Sequence, residues 1–438
     1  MPTSLHSELR LPCGATIKNR IAKAAMTEGL ADVEDNATQG HINLYRTWAK
    51  GGSGLLITGN VMVDRRYLER PGNVVIEDKR GFTQLQNWAT AGTEDNTHLW
   101  MQISHPGRQC SRIVSNQPLS PSDVQLHLMG NFAKPRSITE TEINQAIAGY
   151  VNTALIAKEA GFTGVQVHAA HGYLISQFLS PITNKRQDQW GGSLDNRARF
   201  LLNIIRAVRD AVGNDFPVAV KLNSADFQKG GFDLNDSEQV ATWLAQEGID
   251  LLEISGGTYE QVRLLGHSGD KEQAEDPNVR TSTRQREAYF LDYAKTIQQA
   301  LDSAGKKIPL MVTGGFRSRL TMVEALAEGE LDMIGLARPL CADADIPRFL
   351  ISGEISYAPA YEEDLKLGDG WLGPASKNAF LRAINVQGEV AWFYQQMLQL
   401  AQLKSACKDQ GVLNSLARHF LREYVIAIRR KIYHRRHN

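Results

Sequence analysis

Short apolar runs rich in β-branched residues alternate with stretches of helical periodicity along most of this chain. Candidate strands lie at 20–26, 54–59, 98–103, 164–168, 217–222, 249–254, 308–313 and 332–336. Helical segments accompany them at 41–51, 80–94, 140–160, 195–212, 236–247, 284–304, 318–328 and 343–352. Strands separated by helical crossovers pair in parallel. Eight such units predict an α/β fold, and a closed (β/α)8 TIM barrel fits them better than an open doubly wound sheet. Within 140–160, Ile143, Ile147, Val151, Ala154 and Ile156 keep an apolar stripe near the helical period, and Thr139-Glu-Thr-Glu142 reads as a capping box at its start.

Two segments stand outside the repeat. Residues 104–138 form a long loop after the third strand, and residues 358–438 form a helical C-terminal extension to a barrel of residues 1–357. In the extension Leu413, Leu416, Phe420, Tyr424, Ile428 and Ile432 recur as on an amphipathic helix. Trp392, Phe393, Tyr394, Met397 and Leu400 make an apolar cluster, expected to pack under the barrel ahead of forming a dimer contact. The basic run that ends the chain reads as a solvated helix end, with a phosphate- or partner-binding patch as the alternative.

Composition narrows the function classes. With 48 basic and 48 acidic side chains the 438-residue chain carries no net charge, which argues against a surface built for nucleic acid or acidic membrane. The four cysteines (Cys13, Cys110, Cys341, Cys407) are scattered without a CxxC pair. No signal peptide and no membrane-length apolar run is evident, so a cytoplasmic enzyme is expected.

Chemistry in such a barrel sits where strands end and loops begin. The fourth strand ends in His168-Ala-Ala-His171-Gly-Tyr173. Two imidazoles there can donate hydrogen bonds to one oxygen, and a phenol beside them can act as a general acid. The competing reading is a core histidine with a packed tyrosine. A zinc site would need a third ligand, for which only His105 offers itself. After the seventh and eighth strands, Gly314-Gly315 and Ala337-Arg338 offer backbone N–H groups and a guanidinium to a phosphate. Small residues, Thr58, Gln102 and Lys221 at other strand ends suit a flat ligand rich in heteroatoms. Lys221 either faces that ligand's electron-rich edge or makes a salt bridge across the barrel.

At these positions the chain resembles the old yellow enzyme family of FMN-dependent NAD(P)H oxidoreductases. The run VHAAHGYLISQFLSPITNKRQDQWGGSLDNR at 167–197 resembles the family's most specific signature, supported by ISHPGR at 103–108, TGG at 313–315 and LARP at 336–339. The resemblance implies non-covalently bound FMN, with NADPH or NADH as hydride donor. It implies that Ala25, Met26, Thr27, Gly59, Gln102, His168 and Lys221 contact the flavin and that Gly314, Gly315, Ala337 and Arg338 hold its phosphate. It further implies that His168 and His171 bind the substrate's oxygen and that Tyr173 donates the proton. The chain departs from the family where Ala25 replaces a common proline, Ala337 a frequent glycine and Lys221 a common arginine.

The resemblance points to an ene-reductase acting on enones or related electrophilic alkenes, as a monomer or homodimer, with neither nucleic acid nor membrane as partner. A related FMN barrel enzyme acting as a dehydrogenase, demethylase or isomerase is the nearest alternative. A flavin-free lyase or aldolase using Lys221 as a Schiff-base amine, and a non-catalytic interaction protein, are the readings from other classes.

Overall fold

The computed structural model describes residues 3–128, 130–255 and 281–437. Among the described residues the eight parallel strands of the barrel are β1 (Ile21–Lys23), β2 (Leu55–Ile57), β3 (His98–Ser104), β4 (Gly164–Ala169), β5 (Val218–Asn223), β6 (Leu251–Ser255), β7 (Leu310–Thr313) and β8 (Met333–Leu336). Each pairs with the next, and β8 pairs with β1, so the sheet closes on itself. The expected TIM barrel is therefore present. β1 is shorter than expected because the chain leaves the sheet after Lys23; the Ala24 N–H still reaches Leu336 O at 2.8 Å.

Alternation along the strands separates two cores. Ala22, Leu55, Ile57, Trp100, Ala219, Leu251, Met311 and Met333 point inward and form one buried cluster. Val165, Val167, Val220, Leu222, Leu252, Ile254, Val312 and Ile334 belong to the other cluster, against the surrounding helices. Trp100 fills so much of the interior that a Cβ on Gly164 would lie 2.5 Å from its Nε1. A hairpin of Leu9–Arg10 and Thr16–Ile17 plugs the N-terminal mouth, adding Leu9, Leu11 and Ile17 to the inner cluster.

The main helices among the described residues are α1 (Gln39–Lys50), α2 (Phe82–Gly92), α3 (Glu140–Ala160), α4 (Leu194–Val212), α5 (Leu234–Gln246), α6 (Thr281–Ser303), α7 (Arg319–Ala327), α8 (Ile346–Ser352), α9 (Ala379–Ala401) and α10 (Val412–His437). The expected capping box opens α3, with Thr139 and Glu142 each accepting from the other's backbone N–H. No helix among the described residues is long and apolar enough to cross a membrane. All four cysteines are free.

The extension does not pack under the barrel, where the hairpin already sits. α9 lies against α1 and the short helix Arg338–Ala342, burying Trp392, Phe393, Met397 and Leu400. α10 crosses the loops that follow β1 and β2. Its inward face is polar: Arg422 donates to Gly29 O at 2.7 Å, Arg70 pairs with Glu423 at 3.3 Å, and Arg430 reaches Arg65 O at 2.7 Å. Arg430 also grips fully buried Asp35 at 2.6 and 2.9 Å. The apolar stripe Leu413, Phe420, Tyr424, Ile428 and Ile432 faces solvent instead.

Asp35 has a left-handed backbone with φ 67, which asparagine tolerates. Asp35→Asn therefore isolates the charge. Removing one partner of a buried ion pair should lower stability by about 3 kcal/mol in urea unfolding. Leu421→Ala on the exposed face of α10 should change it by less than about 0.5 kcal/mol.

Candidate active site

Moving up the barrel, the inward side chains change from apolar to polar. Above Trp100, Ala219 and Leu251, the next inward positions are Gln102, Gln166, Lys221 and Glu253, all buried. Gln102 Nε2 donates to Gln166 Oε1 at 2.7 Å, and Gln166 Nε2 donates to Glu253 Oε2 at 2.7 Å. Glu253 Oε1 in turn forms an ion pair with Lys221 Nζ at 2.8 Å. Lys221 thus pairs with its in-register neighbour on β6, close to the salt-bridge alternative. A carboxylate-bound ammonium is not the unpaired amine that Schiff-base chemistry requires. It has three donors, so this pair leaves donor capacity for a ligand. Gln166 and Glu253 escaped sequence reasoning, although a glutamate inside the apolar run LLEIS is itself a signal.

His168 stands one inward step above Gln166, beside Lys221 in register. The Ala170 N–H donates to its Nδ1 at 3.2 Å. Burial, then His171 and Lys221, hold the His168 imidazole well below its ordinary pKa; burial and Lys221 do the same for His171. A neutral His168 that accepts at Nδ1 carries its proton on Nε2. His171 adopts φ 60, a rare conformation for a side chain of this size. Its N–H donates to Asn223 Oδ1 at 3.0 Å, its carbonyl accepts from Gln109 at 3.0 Å, and its Nε2 lies 2.7 Å from the Ser255 hydroxyl. The His168 ring centroid lies 5.2 Å from that of His171 and 4.8 Å from that of Tyr173. The three side chains singled out from sequence therefore converge on one buried corner of the mouth.

His105 does not join them as a metal ligand. Its Nδ1 accepts from the Gly107 N–H at 3.1 Å, and among the described residues no group of three suitable ligands could hold a metal ion.

The loops after β1 and β2 meet at Gly59. A Cβ there would lie 2.5 Å from Met26 O and 2.6 Å from Thr27 Cα, so only glycine fits. The Gly59 N–H donates to Glu28 Oε1 at 2.9 Å, and Thr27 and Asn60 both donate to Glu69 Oε2, at 2.8 and 2.7 Å. Ala25, Met26 and Thr27 are half-buried along this edge. Across the mouth, Gly314 (φ 134) and Gly315 (φ 79) turn the chain after β7. Ala337 and Arg338 follow β8, and Arg338 lies 3.2 Å from Glu389 and 3.3 Å from Glu362. Both glutamates come from the extension, and sequence reasoning missed them.

This donor set fits FMN. Lys221 and Gln102 offer donors to a polar ring edge, small residues leave room for a flat face, and Arg338 with the Gly314-Gly315 turn suits a phosphate. Thr313 Oγ1 and Asn60 Oδ1 are buried without a partner among the described residues, as expected of a mouth shaped for a polar ligand.

The chain matches the model of the NADH:flavin oxidoreductase / NADH oxidase family over residues 12–354. It is 34% identical over 392 residues to the NADH-dependent flavin oxidoreductase iliE of Hypocrea jecorina, covering 84% of this chain and 94% of that protein. It is 37% identical over 353 residues to the NADH-dependent flavin oxidoreductase nadA of Aspergillus parasiticus, covering 77% and 76%. Among solved structures, the old yellow enzyme homologue from Zymomonas mobilis aligns with a TM-score of 0.66 at 26% identity, over 81% of this chain and 94% of that one. A 2-naphthoyl-CoA reductase in complex with 2-naphthoyl-CoA aligns with a TM-score of 0.72 at 27% identity, over 81% of this chain but only 53% of the other.

Because both imidazoles are held well below the ordinary histidine range, they stay neutral as pH falls through about 6.5, where an exposed histidine would gain its proton. Ring NMR signals of His168 and His171 should stay constant between about pH 5.5 and pH 8.

Proposed function

The chain belongs to the NADH:flavin oxidoreductase / NADH oxidase family, and from that premise we propose that it reduces activated C=C bonds of α,β-unsaturated carbonyl or nitro compounds. At the coarser level it is an FMN-dependent oxidoreductase that draws hydride from NADH or NADPH. The observation that carries the finer reading is the neutral pair of buried His168 and half-buried His171 facing Tyr173 above the Lys221–Glu253 ion pair.

In this reading Ala25, Met26, Thr27, Gly59, Gln102, His168 and Lys221 surround the flavin ring, and Gly314, Gly315, Ala337 and Arg338 take its phosphate. Bound there, FMN supplies the hydride that goes to the acceptor's β-carbon. His168 donates through Nε2–H to the acceptor's oxygen. For His171 to give the same oxygen a second donor through Nδ1–H, the Ser255 hydroxyl must donate to its Nε2, which the 2.7 Å contact between them allows. Donors already in place stabilise the negative charge developing on that oxygen without reorganising in the transition state. The Asn223 and Gln109 contacts hold His171 in its left-handed conformation and so keep its ring aimed. The Tyr173 hydroxyl then gives its proton to the α-carbon.

Anaerobically reduced protein mixed with 2-cyclohexenone should regain the oxidised-flavin absorption band and form cyclohexanone. A band that stays reduced would move the function to another reaction of the family. Tyr173→Phe should slow this oxidative half-reaction by ~10²-fold or more while leaving flavin reduction by NAD(P)H unchanged. Equal loss in both halves would remove Tyr173 as the proton donor.

A further inference from the structure

The extension reaches into the mouth of the barrel at the loops proposed to hold phosphate. The chain entering it runs antiparallel to the β7–α7 loop: the Ala358 N–H donates to Arg317 O at 2.8 Å and the Arg319 N–H to Ser356 O at 2.9 Å, with Ser318 and Tyr357 bridged between them. A turn at Tyr361–Glu363 then brings Glu362 inward, and α9 supplies Glu389 from a second direction. Glu362 Oε1 lies 2.7 Å from Arg317 Nη2 and 3.3 Å from Arg338 Nη1; Glu389 Oε1 lies 3.2 Å from the same Arg338 nitrogen. Both carboxylates are less than a tenth exposed. Burial pushes the Glu362 carboxyl up, but Arg317 and Arg338 more than offset it, so Glu362 is ionised.

In these contacts among the described residues, two guanidiniums face two carboxylates, opposite charges in equal number. A phosphate monoester brings up to about two negative charges and needs the same guanidinium donors. It must either displace a carboxylate from Arg338 or enter a cradle with no net positive charge. We propose that Glu362 and Glu389 are intramolecular competitors of the cofactor's phosphate, so that the C-terminal extension sets how tightly FMN is retained. This rests on the reading of Arg338 as a phosphate ligand. The ring site, which riboflavin shares with FMN, lies outside the competition.

The test measures dissociation constants of FMN and of riboflavin for the full-length apoprotein, by quenching of flavin fluorescence. Glu362→Gln and Glu389→Gln keep the side chain's shape and remove its charge. Each should tighten FMN by about tenfold or more and leave riboflavin unchanged. Unchanged or weaker FMN binding in a folded variant overturns the proposal, and the second variant decides should the first fail to fold. Arg338→Leu separates the premise from the inference. It should weaken FMN by at least about tenfold and spare riboflavin; if FMN is unaffected, the phosphate lies elsewhere and the competition falls with it. Weakening by Arg338→Leu together with no tightening by either glutamine variant refutes the competition alone.

Discussion

Inside the barrel, the ion pair of Lys221 and Glu253 marks the level at which a close-packed apolar interior becomes a polar one. Two charges taken that far from water are tolerated only when each finds its partner and the remaining polar atoms are bonded. Glu253 is paired with Lys221 through one oxygen and accepts a hydrogen bond from Gln166 on the other, and Gln166 passes the chain on to Gln102. Strands β3, β4, β5 and β6 are thereby joined by side chains as well as by their ladders. Burial first, and then the charge of Lys221 beside His168, keep both imidazoles neutral. A neutral histidine pair can polarise an oxygen without binding anions indiscriminately, so the structural ion pair and the proposed chemistry depend on one another.

A second dependence links the extension to the mouth. α10 is anchored by Asp35 and by contacts to the loops after β1 and β2, while α9 and the turn at Glu362 reach the loops after β7 and β8. One segment therefore touches both sides of the proposed flavin site. Its inward contacts are mostly charged, which ties the geometry of those loops to electrostatic partners more than to apolar packing. Trp392, Phe393 and Met397 provide the apolar part of the docking against α1 and the short helix Arg338–Ala342.

The strands were readable because each is a run of β-branched and apolar residues, buried on both faces, that local composition betrays. His168, His171 and Tyr173 were readable because six consecutive residues carry them, so one turn of chain places all three. Lys221 could be placed at a strand end but not given a partner, since Glu253 is remote in sequence and becomes a neighbour only through the register of β5 on β6. The apolar residues of α10 suggested an amphipathic helix correctly, yet the helix docks by Arg430, Arg422 and Glu423 and leaves that stripe in solvent.

Sequence by itself determined the repeat of strand and helix, the family resemblance and the residues at the strand ends, because each depends on neighbours a few positions away. Only the tertiary structure decided which charges meet: Lys221 with Glu253, Asp35 with Arg430, and Arg338 with two glutamates of the extension. The physical reason is that ion pairs and hydrogen bonds act over a few ångströms. Partners brought that close by barrel closure and by the docking of a terminal helix leave no periodic or local trace in the order of residues.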